Sequence, residues 1–361
     1  MKKNATIVYT IKRSFVKSDI SILEALEYNV FQIQSRPKKT FMSFIINRIK
    51  EKIKSIFFVS RSKIVIIWFN DYHAFIPIIF SKLFLKKSVI IVGGYDAIVD
   101  KENRHGLFFK KGIRSTLAKI NYSLASELWV VHKSLEIGCS YARKKFNITS
   151  GIRSFLVNKK IVIKEISTGY DTRFWDYDTN NQKIGVLTAA YFSDERVINI
   201  KGLNIFNKLA SLLPDITFTI VGESKIQIDN FINLNPNVNV IGVQTRTQMK
   251  QLYQNTKFYF QGSRLEGLPN SVCEAMLCGC IPIGSRVFGI PDIIGNTGLL
   301  FDTEKDLVQI KDFILSGLGE KESKQARKRI ISKFNISKRI EKIKENICLL
   351  YTSPSPRDPS I

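Results

Sequence analysis

Short runs rich in β-branched residues alternate with stretches of helical period along the whole chain, and this alternation occurs in two tandem blocks. Residues 1–170 contain the runs ATIVYT, NVFQIQ, SKIVIIWF, SVIIVGG, ELWVV and KIVIKEI. The rest of the chain contains IGVLTAA, ITFTIVG, VNVIGV, KFYFQG, CIPIGS and TGLLFD. Nearly continuous apolar strands separated by helices are typical of parallel sheets covered on both faces. The sequence therefore predicts an α/β fold with two Rossmann-like, doubly wound parallel-sheet domains.

A polar, strand-free segment lies between the two blocks. Its sequence is YDTRFWDYDTNNQK, residues 170–183, and we predict that it links the domains. The N-terminal domain then covers residues 1–169 and the C-terminal domain covers residues 184–347. A chain of 361 residues is long enough for each domain to bury its own core. Because ligands of such folds bind at the carboxyl ends of strands, we expect the site in a cleft between the domains.

The last residues of the chain differ in composition from the rest. The segment CLLYTSPSPRD, residues 348–358, interrupts a helical pattern that covers residues 337–347. Common codons for these residues spell a sequencing adaptor. We therefore predict that residues 348–361 are a non-native tail, and a natural Pro- and Ser-rich tail is the alternative.

Positive charge is concentrated in the first block. The formal net charge of the chain is +24, and residues 1–170 account for +20 of it. This asymmetry predicts an anionic partner, which could be a membrane surface, a nucleic acid or a phosphorylated substrate. No helix-turn-helix, zinc or aromatic-rich RNA-binding pattern accompanies the charge, so we predict no nucleic-acid partner.

A basic amphipathic segment, residues 40–63, fits the first of these partners. Apolar side chains recur at helical spacing with basic side chains between them, and GLFFKKGIR, residues 106–114, adds further basic residues. The apolar positions are Phe41, Phe44, Ile45, Ile49, Ile53 and Ile56, and the basic ones are Arg48, Lys50, Lys52 and Lys54. Peripheral contact with anionic lipid is one interpretation. A core helix with a solvated basic face is the other.

Other features favour a cytoplasmic location. The apolar run from Ile64 is interrupted by Asn70 and Asp71, and the N-terminal run is broken at Lys12. Neither a transmembrane helix nor a signal peptide is therefore predicted. The five cysteines follow no disulfide or zinc spacing, which is typical of a reducing compartment. We predict a cytoplasmic protein with peripheral contact at the inner face of the cell membrane.

The segment GSRLEGLPNSVCEAMLCGCIPIGS, residues 262–285, predicts a phosphate-binding loop and helix. The pattern favours a helix with Asn270 as its N-cap and Gly279 just after its end. Gly267 and Pro269 would hold the preceding loop open. Because the N-terminus of a helix presents unpaired backbone N–H groups, it suits a phosphate.

Two glutamates accompany this helix. Glu266 lies in the loop and Glu274 in the helix, and both would repel a phosphate. Carboxylates accept hydrogen bonds from vicinal hydroxyl groups, so the pair favours a sugar nucleotide with its diphosphate at the helix. The alternatives are that Glu274 interacts only with the helix dipole and that Glu266 is a solvated loop residue.

A family resemblance rests on the sequence EGLPNSVCE, which has two glutamates separated by seven residues, and on AMLCGCIP after it. The segment resembles the donor-site signature of family 4 of the retaining glycosyltransferases, the group 1 type. The resemblance implies the GT-B fold, retention of anomeric configuration, and a UDP- or GDP-type nucleotide sugar as donor. It implies that Glu266 contacts the transferred sugar and Glu274 the ribose. It also implies that Gly267, Leu268 and Pro269 lie beside the sugar and the diphosphate.

A second segment, SDERVINIKGLN, has Arg196 and Lys201 five residues apart before Gly202. The resembled family has an Arg and a Lys here to neutralise the donor diphosphate. Negative charge grows on the leaving nucleoside diphosphate as the glycosidic bond breaks, and cations aimed at it stabilise the transition state. A solvated basic turn is the alternative. STGYDTRFW, residues 167–175, resembles the segment that joins the two domains in this family.

The first block resembles the family less. YTIKRSFVKSD, after the first strand, has no glycine, although family members carry a glycine-rich loop there. VGGYDA ends a strand, so we expect Asp96 to face the cleft, with His105 nearby. A turn-capping aspartate and a surface histidine are the alternatives. The catalytic candidates are therefore Glu266, Arg196, Lys201 and Asp96.

The combined prediction is an enzyme without a metal or other cofactor. The pair Asp176-x-Asp178 lies in the linker rather than at a strand end, so we predict no metal site, and no GxxxxGK[ST] loop is present. The enzyme would transfer a hexose-type sugar to a saccharide or lipid-linked saccharide acceptor in cell-envelope polysaccharide or glycoconjugate synthesis. A GT-B sugar phosphorylase and a non-catalytic basic module that binds lipid or nucleic acid are the alternatives.

Overall fold

The computed structural model of the chain describes residues 2–36, 40–179, 182–191, 194–222, 228 and 232–352. The chain divides into two units. Unit 1 comprises residues 1–138, 149–167 and 339–361, and unit 2 comprises residues 139–148 and 168–338. This division differs from the predicted domains at two places, because residues 139–148 lie in unit 2 and residues from Arg339 onward lie in unit 1.

Unit 1 contains a parallel sheet, to which the described residues contribute six strands in the order β2-β1-β3-β4-β6-β8. Each strand overlaps one apolar run of the first block, so the predicted parallel sheet is confirmed. A short antiparallel pair, β5 with β7, lies outside this sheet. The strands are β1 Lys3–Tyr9, β2 Tyr28–Gln34, β3 Ile64–Trp68, β4 Lys87–Val92, β5 Ile98–Val99, β6 Glu127–Val130, β7 Thr149–Ser150 and β8 Val162–Glu165.

Helices connect these strands, and two of them, α2 and α3, begin at a residue whose side chain caps the first turn. The Thr40 side chain accepts a hydrogen bond from the N–H of Ser43 (3.3 Å), and the Asp71 carboxylate accepts one from the N–H of Tyr72 (2.8 Å). Such bonds satisfy backbone donors that the first turn leaves unpaired. The helices are α1 Ser14–Ala25, α2 Phe41–Arg61, α3 Tyr72–Leu83, α4 Ile113–Leu124 and α5 Ser134–Ile137.

Unit 2 contains a second parallel sheet, and its described strands lie in the order β11-β10-β9-β12-β13-β14. These six strands match the six apolar runs of the second block, which confirms that prediction as well. The direction in which strands are added reverses between β9 and β12. Parallel sheets of this kind bind ligands outside the carboxyl ends of the strands at that point. The strands are β9 Ile184–Ala189, β10 Phe218–Val221, β11 Val238–Ile241, β12 Thr256–Gln261, β13 Ile281–Ser285 and β14 Leu299–Phe301.

The core of unit 2 is packed between this sheet and its helices. The ring of Phe206 lies 5.1 Å from that of Phe218 and 5.5 Å from that of Phe260, measured between centroids. These aromatic contacts join a helix to the centre of the sheet and fix its height above the strands. The helices are α6 Ser140–Phe146, α7 Arg196–Lys201, α8 Leu203–Ser211, α9 Arg246–Asn255, α10 Asn270–Leu277, α11 Ile290–Ile294, α12 Leu307–Leu315 and α13 Glu320–Phe334.

The predicted linker, residues 170–183, is packed within unit 2 rather than extended in solvent, although positions 180 and 181 lie outside the described residues. Trp175 is 2% exposed, and the backbone of Tyr170 is hydrogen-bonded to Phe334 and Ile336. The Lys183 ammonium donates to three carbonyl oxygens at the ends of α9 and α10. The polar composition reflects these bonds to backbone groups.

The final helix, α14 Ile336–Thr352, corrects the prediction that helical structure ends at residue 347. Leu350 is 5% exposed, and the Tyr351 hydroxyl donates to the carbonyl of Lys63 in unit 1. Arg339 forms two 2.7 Å hydrogen bonds to the Asp19 carboxylate, which ties α14 to α1 of unit 1. Residues 353–361 of the predicted tail lie outside the described residues.

Within the described part of the chain, no helix combines the length and the apolar character that a membrane span needs.

Candidate functional site

The site predicted from the sequence lies in unit 2, at the point where the order of strands reverses. β9 and β12 are adjacent, and their carboxyl ends, Ala189 and Gln261, lead into loops on the same edge of the sheet. The first loop leads to α7 and the second to α10, while positions 192 and 193 lie outside the described residues. Side chains from both loops can therefore converge on one ligand.

Two glycines hold the loop after β12 against α7. Gly202 has φ +69°, and a Cβ atom on it would lie 2.2 Å from the carbonyl oxygen of Gly262. The N–H of Arg264 also donates to the carbonyl oxygen of Ile200 at 2.9 Å. Only a residue without a side chain permits so close an approach of two backbones. The approach places Lys201, the last residue of α7, next to this loop.

Lys201 and Glu266 form the centre of the site. The Lys201 ammonium donates to Oε1 of Glu266 at 2.5 Å. Two further donors reach the same oxygen, the amide of Gln261 at 3.0 Å and the hydroxyl of Ser263 at 2.9 Å. Their side chains are almost fully buried, Gln261 at 3% and Ser263 at 0% exposed residue area. We call these four residues the Glu266 cluster.

The Glu266 cluster is rigid but accessible. The side chain of Glu266 is 14% exposed to solvent and that of Lys201 is 28% exposed. The contacts described above all use Oε1, and an ionised carboxylate has a second oxygen with its own acceptor sites. The ammonium likewise carries three donors, of which Glu266 uses one. The cluster can therefore offer both an acceptor for a hydroxyl group and a cation for a phosphate.

Arg196 occupies the first position of α7, and its guanidinium forms two hydrogen bonds with the Asp194 carboxylate at 2.7 and 2.6 Å. About half of its side chain is exposed, whereas the Lys201 ammonium donates to Glu266. The structure thus brings Lys201 to Glu266 and holds Arg196 on Asp194 at the other end of the same helix. Its role toward a diphosphate stays a prediction.

The loop residues between Glu266 and α10 are buried. Leu268 is 6% exposed, and the carbonyl of Gly267 accepts a hydrogen bond from the N–H of Gly289 at 3.1 Å. Pro269, also buried, is the N-cap residue of α10 in extended conformation. The loop is therefore fixed on one side by α7 and on the other by the segment before α11.

Helix α10 begins one residue earlier in the sequence than predicted. Asn270 is its first helical residue rather than its N-cap, because the Asn270 side-chain oxygen accepts a hydrogen bond from the Tyr170 hydroxyl at 2.6 Å. That partner lies far away in sequence, and no local pattern reveals it. Gly279, with φ +85°, follows the end of the helix as predicted.

Glu274 is the fifth residue of α10, and the buried side chains of Tyr170, Tyr253 and Tyr259 lie within reach of its charge. Burial raises the pKa of its carboxyl group to about 8, and the positive charge of Arg246 acts in the opposite direction. The Arg246 guanidinium lies over the ring of Phe174, 3.9 Å from its centroid, and 5.2 Å from that of Trp175. Displacement of the pKa toward neutrality by burial is common at functional sites.

Asp96 caps a turn in unit 1. It is 0% exposed, and its carboxylate accepts hydrogen bonds from the backbone N–H groups of Asn70, Gly93 and Gly94 at 3.0–3.1 Å. Burial raises the pKa of Asp96 to about 6 in spite of these bonds. The turn-capping alternative describes these contacts, and the expectation that Asp96 faces the cleft stays a prediction. The ring of His105 packs edge-on against Tyr95, with centroids 5.2 Å apart.

Sequence reasoning missed three side chains that define the site, Gln261, Ser263 and Arg246. The first two lie in the run QGS at the end of β12. Small and polar residues directly after a buried strand are the only sequence feature that could have indicated them. Arg246 gave no signal because its aromatic partners come from the segment taken as a linker. Among the described residues, no group of three potential metal ligands occurs. Asp176, considered and rejected as a metal ligand, accepts from Lys250 at 2.8 Å.

The fold is that of the GT-B glycosyltransferases. Three solved structures are similar over nearly the whole chain. They are a glycosyltransferase from Rickettsia africae (14% identity, covering 98% of this chain and 100% of that one, TM-score 0.67), HepE of Anabaena in complex with UDP-glucose (12%, 96% and 99%, 0.71) and sucrose-phosphate synthase of Thermosynechococcus elongatus (13%, 97% and 99%, 0.68). At such identities the likeness shows the fold.

The sequence of unit 2 carries a more specific likeness. Residues 191–340 match the family model described as glycosyl transferases group 1. The matched segment contains the Glu266 cluster, Arg196 and α10. No curated protein sequence matches the chain.

Proposed function

We propose that the chain is a nucleotide-sugar-dependent glycosyltransferase, with its donor site at the Glu266 cluster of unit 2. The observation that carries this proposal is the Lys201–Glu266 pair, held at the point of strand reversal by two buried donors. The match of residues 191–340 to the group 1 glycosyl transferases supports it independently, since that segment contains the cluster.

The two charges of the cluster suit the two ends of the bond that breaks. Glu266 accepts hydrogen bonds from hydroxyl groups of the transferred sugar, while Lys201, and Arg196 after leaving Asp194, bind the diphosphate. The bond between the anomeric carbon and the diphosphate oxygen breaks with its electron pair on the diphosphate. A bond from the acceptor oxygen forms, and the acceptor proton leaves with the nucleoside diphosphate or to solvent. Fixed cations stabilise the charge that develops.

We further propose retention of anomeric configuration, on the basis of the resemblance to family 4. The donor is a UDP- or GDP-sugar, with UDP favoured because two similar structures of HepE contain UDP-glucose or UDP with glucose. Glu274 accepts hydrogen bonds from the ribose hydroxyls, with Gly267, Leu268 and Pro269 beside the sugar and the diphosphate. No cofactor is required.

The proposed acceptor is a saccharide or a lipid-linked saccharide used in cell-envelope polysaccharide or glycoconjugate synthesis, at the cytoplasmic face of the membrane. The charge of +20 on residues 1–170 supports an acceptor presented on an anionic surface.

Titration calorimetry with UDP-glucose, UDP-N-acetylglucosamine and GDP-mannose tests the donor site. Glu266→Gln removes the charge at the sugar and keeps the shape, and we expect at least tenfold weaker binding of the preferred donor. Glu304→Gln, at a half-exposed acid paired with Lys208, is the control and should bind normally. Equal binding by both variants would contradict the assignment.

Release of nucleoside diphosphate separates transfer from phosphorolysis. A sugar phosphorylase needs inorganic phosphate and releases sugar phosphate, whereas the proposed enzyme releases UDP or GDP from the donor without inorganic phosphate, and faster when an acceptor is added. Chromatography of the nucleotide products distinguishes these outcomes. A non-catalytic module would release neither.

A further inference from the structure

The exposed face of α2 is apolar. Six of its side chains keep a large part of their area in solvent: Ile45 38%, Ile46 48%, Ile49 54%, Ile53 63%, Ile56 42% and Phe57 50%. At 3.6 residues per turn these positions fall within an arc of about 120° around the helix axis. We call this arc the α2 stripe. The side chains of Phe41 and Phe44 lie outside the described residues.

The opposite face of α2 is buried, and polar side chains lie there beside the apolar Val59 and Phe58. Glu51 is 4% exposed and Ser55 0%. The Arg48 guanidinium pairs with the Glu51 carboxylate at 2.6 Å and also contacts Ser35, while Asn47 donates to Glu51 at 2.8 Å. These bonds fix the rotation of the helix. α2 therefore packs on the sheet of unit 1 through this face and leaves the isoleucines as well as the lysines exposed.

Cationic side chains border the stripe on both sides. By the same helical geometry, Lys50, Lys54 and Arg61 flank one edge and Lys52 flanks the other. Glu51 is the sole acidic residue in the sequence of α2, and it is buried. The exposed surface of this helix consequently combines an apolar centre with positively charged margins.

The C-terminal end of α3 also combines exposed apolar side chains with basic ones. α3 packs on α2, and both helices lead into the amino ends of parallel strands, so their C-terminal ends lie at one edge of the sheet. Leu83 and Leu85 there are 69% and 92% exposed, and Leu85 has φ +54°, a conformation that disfavours leucine. Lys82 and Lys86 flank these leucines. A second apolar and basic surface thus lies at the C-terminal end of α3, the helix that packs on α2.

We infer that α2 lies in the surface of an anionic lipid bilayer, with the stripe among the acyl chains and the bordering lysines at the headgroups. An exposed apolar stripe bordered by charged side chains indicates a binding partner. A second copy of the chain is a poorer fit, since symmetric pairing of two stripes would bring their rows of lysine side chains together. Helices of this kind bury their apolar side about 5–10 Å into the interface.

Vesicle sedimentation tests this inference without any measurement of sugar transfer. The full chain should sediment with phosphatidylcholine vesicles that contain 30% phosphatidylglycerol and remain in solution with phosphatidylcholine alone. The double variant Ile49→Ser/Ile53→Ser should bind at least tenfold less well, because two side chains lose their transfer to the apolar layer. Lys50→Gln/Lys54→Gln should lose about fivefold per lysine, and the effect should vanish at high salt.

A matched control removes two apolar side chains of similar exposure from another helix. Val308 and Leu315 on α12 are 64% and 57% exposed, against 63% for Ile53 and 54% for Ile49. The double variant Val308→Ser/Leu315→Ser should bind vesicles like the unmodified chain. Equal loss in both double variants, or no loss in either, would overturn the inference.

A tryptophan at position 53 reports on insertion directly. The three native tryptophans are at most 2% exposed, so Ile53→Trp adds a fluorophore that alone can meet the bilayer. Brominated phospholipids should quench it strongly, and they should leave Val308→Trp unquenched. Equal quenching in both variants would contradict the inference. So would dimers that dissociate in Ile49→Ser/Ile53→Ser without any vesicle binding, since the stripe would then bind a second copy.

This inference stands independently of the proposed donor site. Binding of a nucleotide sugar in solution should be the same for Ile49→Ser/Ile53→Ser and for the unmodified chain. Loss of vesicle binding with intact donor binding would show that the membrane surface and the donor site act independently.

Discussion

The raised pKa of Glu274 predicts an unusual dependence of stability on pH. Its carboxyl group has a pKa of about 8 in the folded protein, because burial disfavours the charged form, against 4.5 when solvated. Between these values the folded state binds a proton that the unfolded state has released. The contribution of this group to stability is therefore fully present below pH 4.5 and is lost as pH rises through 8.

The magnitude follows from the two pKa values. Linkage gives a loss of about 2 kcal/mol in the free energy of unfolding between pH 6 and pH 8 from this one group. Glu274→Gln keeps the shape and cannot ionise, so it lacks this loss. We expect the variant to gain about 2 kcal/mol relative to the unmodified chain over the same interval.

Urea unfolding at pH 6, 7 and 8, followed by circular dichroism, measures this difference. Other groups titrate in both proteins, including Asp96 with its pKa of about 6, and comparison of the two chains cancels them. Glu304→Gln serves as a control at an exposed acid and should follow the unmodified chain. A constant offset between Glu274→Gln and the unmodified chain at all three pH values would refute the reasoning.

Two further substitutions test the scaffold of the site and the C-terminal helix. Gly202→Ala should lower the free energy of unfolding by at least about 2 kcal/mol more than Gly317→Ala, as measured by urea midpoints, because both have φ near +70° but only Gly202 meets a backbone oxygen. Equal losses would remove the role given to the close approach. Asp19→Asn should cost about 3–5 kcal/mol, since it leaves the buried Arg339 guanidinium without its charged partner. Limited proteolysis should then cleave within α14, whereas Glu24→Gln on the exposed side of α1 should leave the chain resistant, and the reverse pattern would contradict the assignment.

The parallel sheets were predictable because their signal is local. An apolar strand buried on both faces is recognisable from its own residues, and the order of helices and strands then restricts the topology. The packing of α14 was not predictable in this way. Its attachment depends on Arg339 and Asp19, which are 320 residues apart in sequence, and neither residue alone indicates a partner.

For the candidate site, too, local patterns were predictable and contacts between distant residues were not. The motif around Glu266 and Glu274 identified the loop and helix, because glycine, proline and acidic residues at that spacing are a local pattern. The buried donors Gln261 and Ser263 became apparent only with the fold, since polar residues after a strand are common in any loop. For Asp96 the sequence left two roles open, because a strand-end aspartate can cap a turn or face a ligand, and the structure shows the turn-capping bonds.

The segment of α2 shows a different limit. The helical period was evident, but a sequence pattern does not say which face of a helix is buried. The usual expectation puts the apolar side inside. Here the ion pair of Arg48 with Glu51 occupies the inner face and leaves the isoleucines outside.

The most direct test of the donor site is a crystal structure of the full chain soaked with the nucleotide sugar that binds best in calorimetry. The account predicts a sugar hydroxyl within hydrogen-bond distance of the Glu266 carboxylate and a phosphate oxygen within reach of the Lys201 ammonium. A donor bound elsewhere on the chain, with the Lys201–Glu266 pair unchanged and without ligand contact, would contradict it.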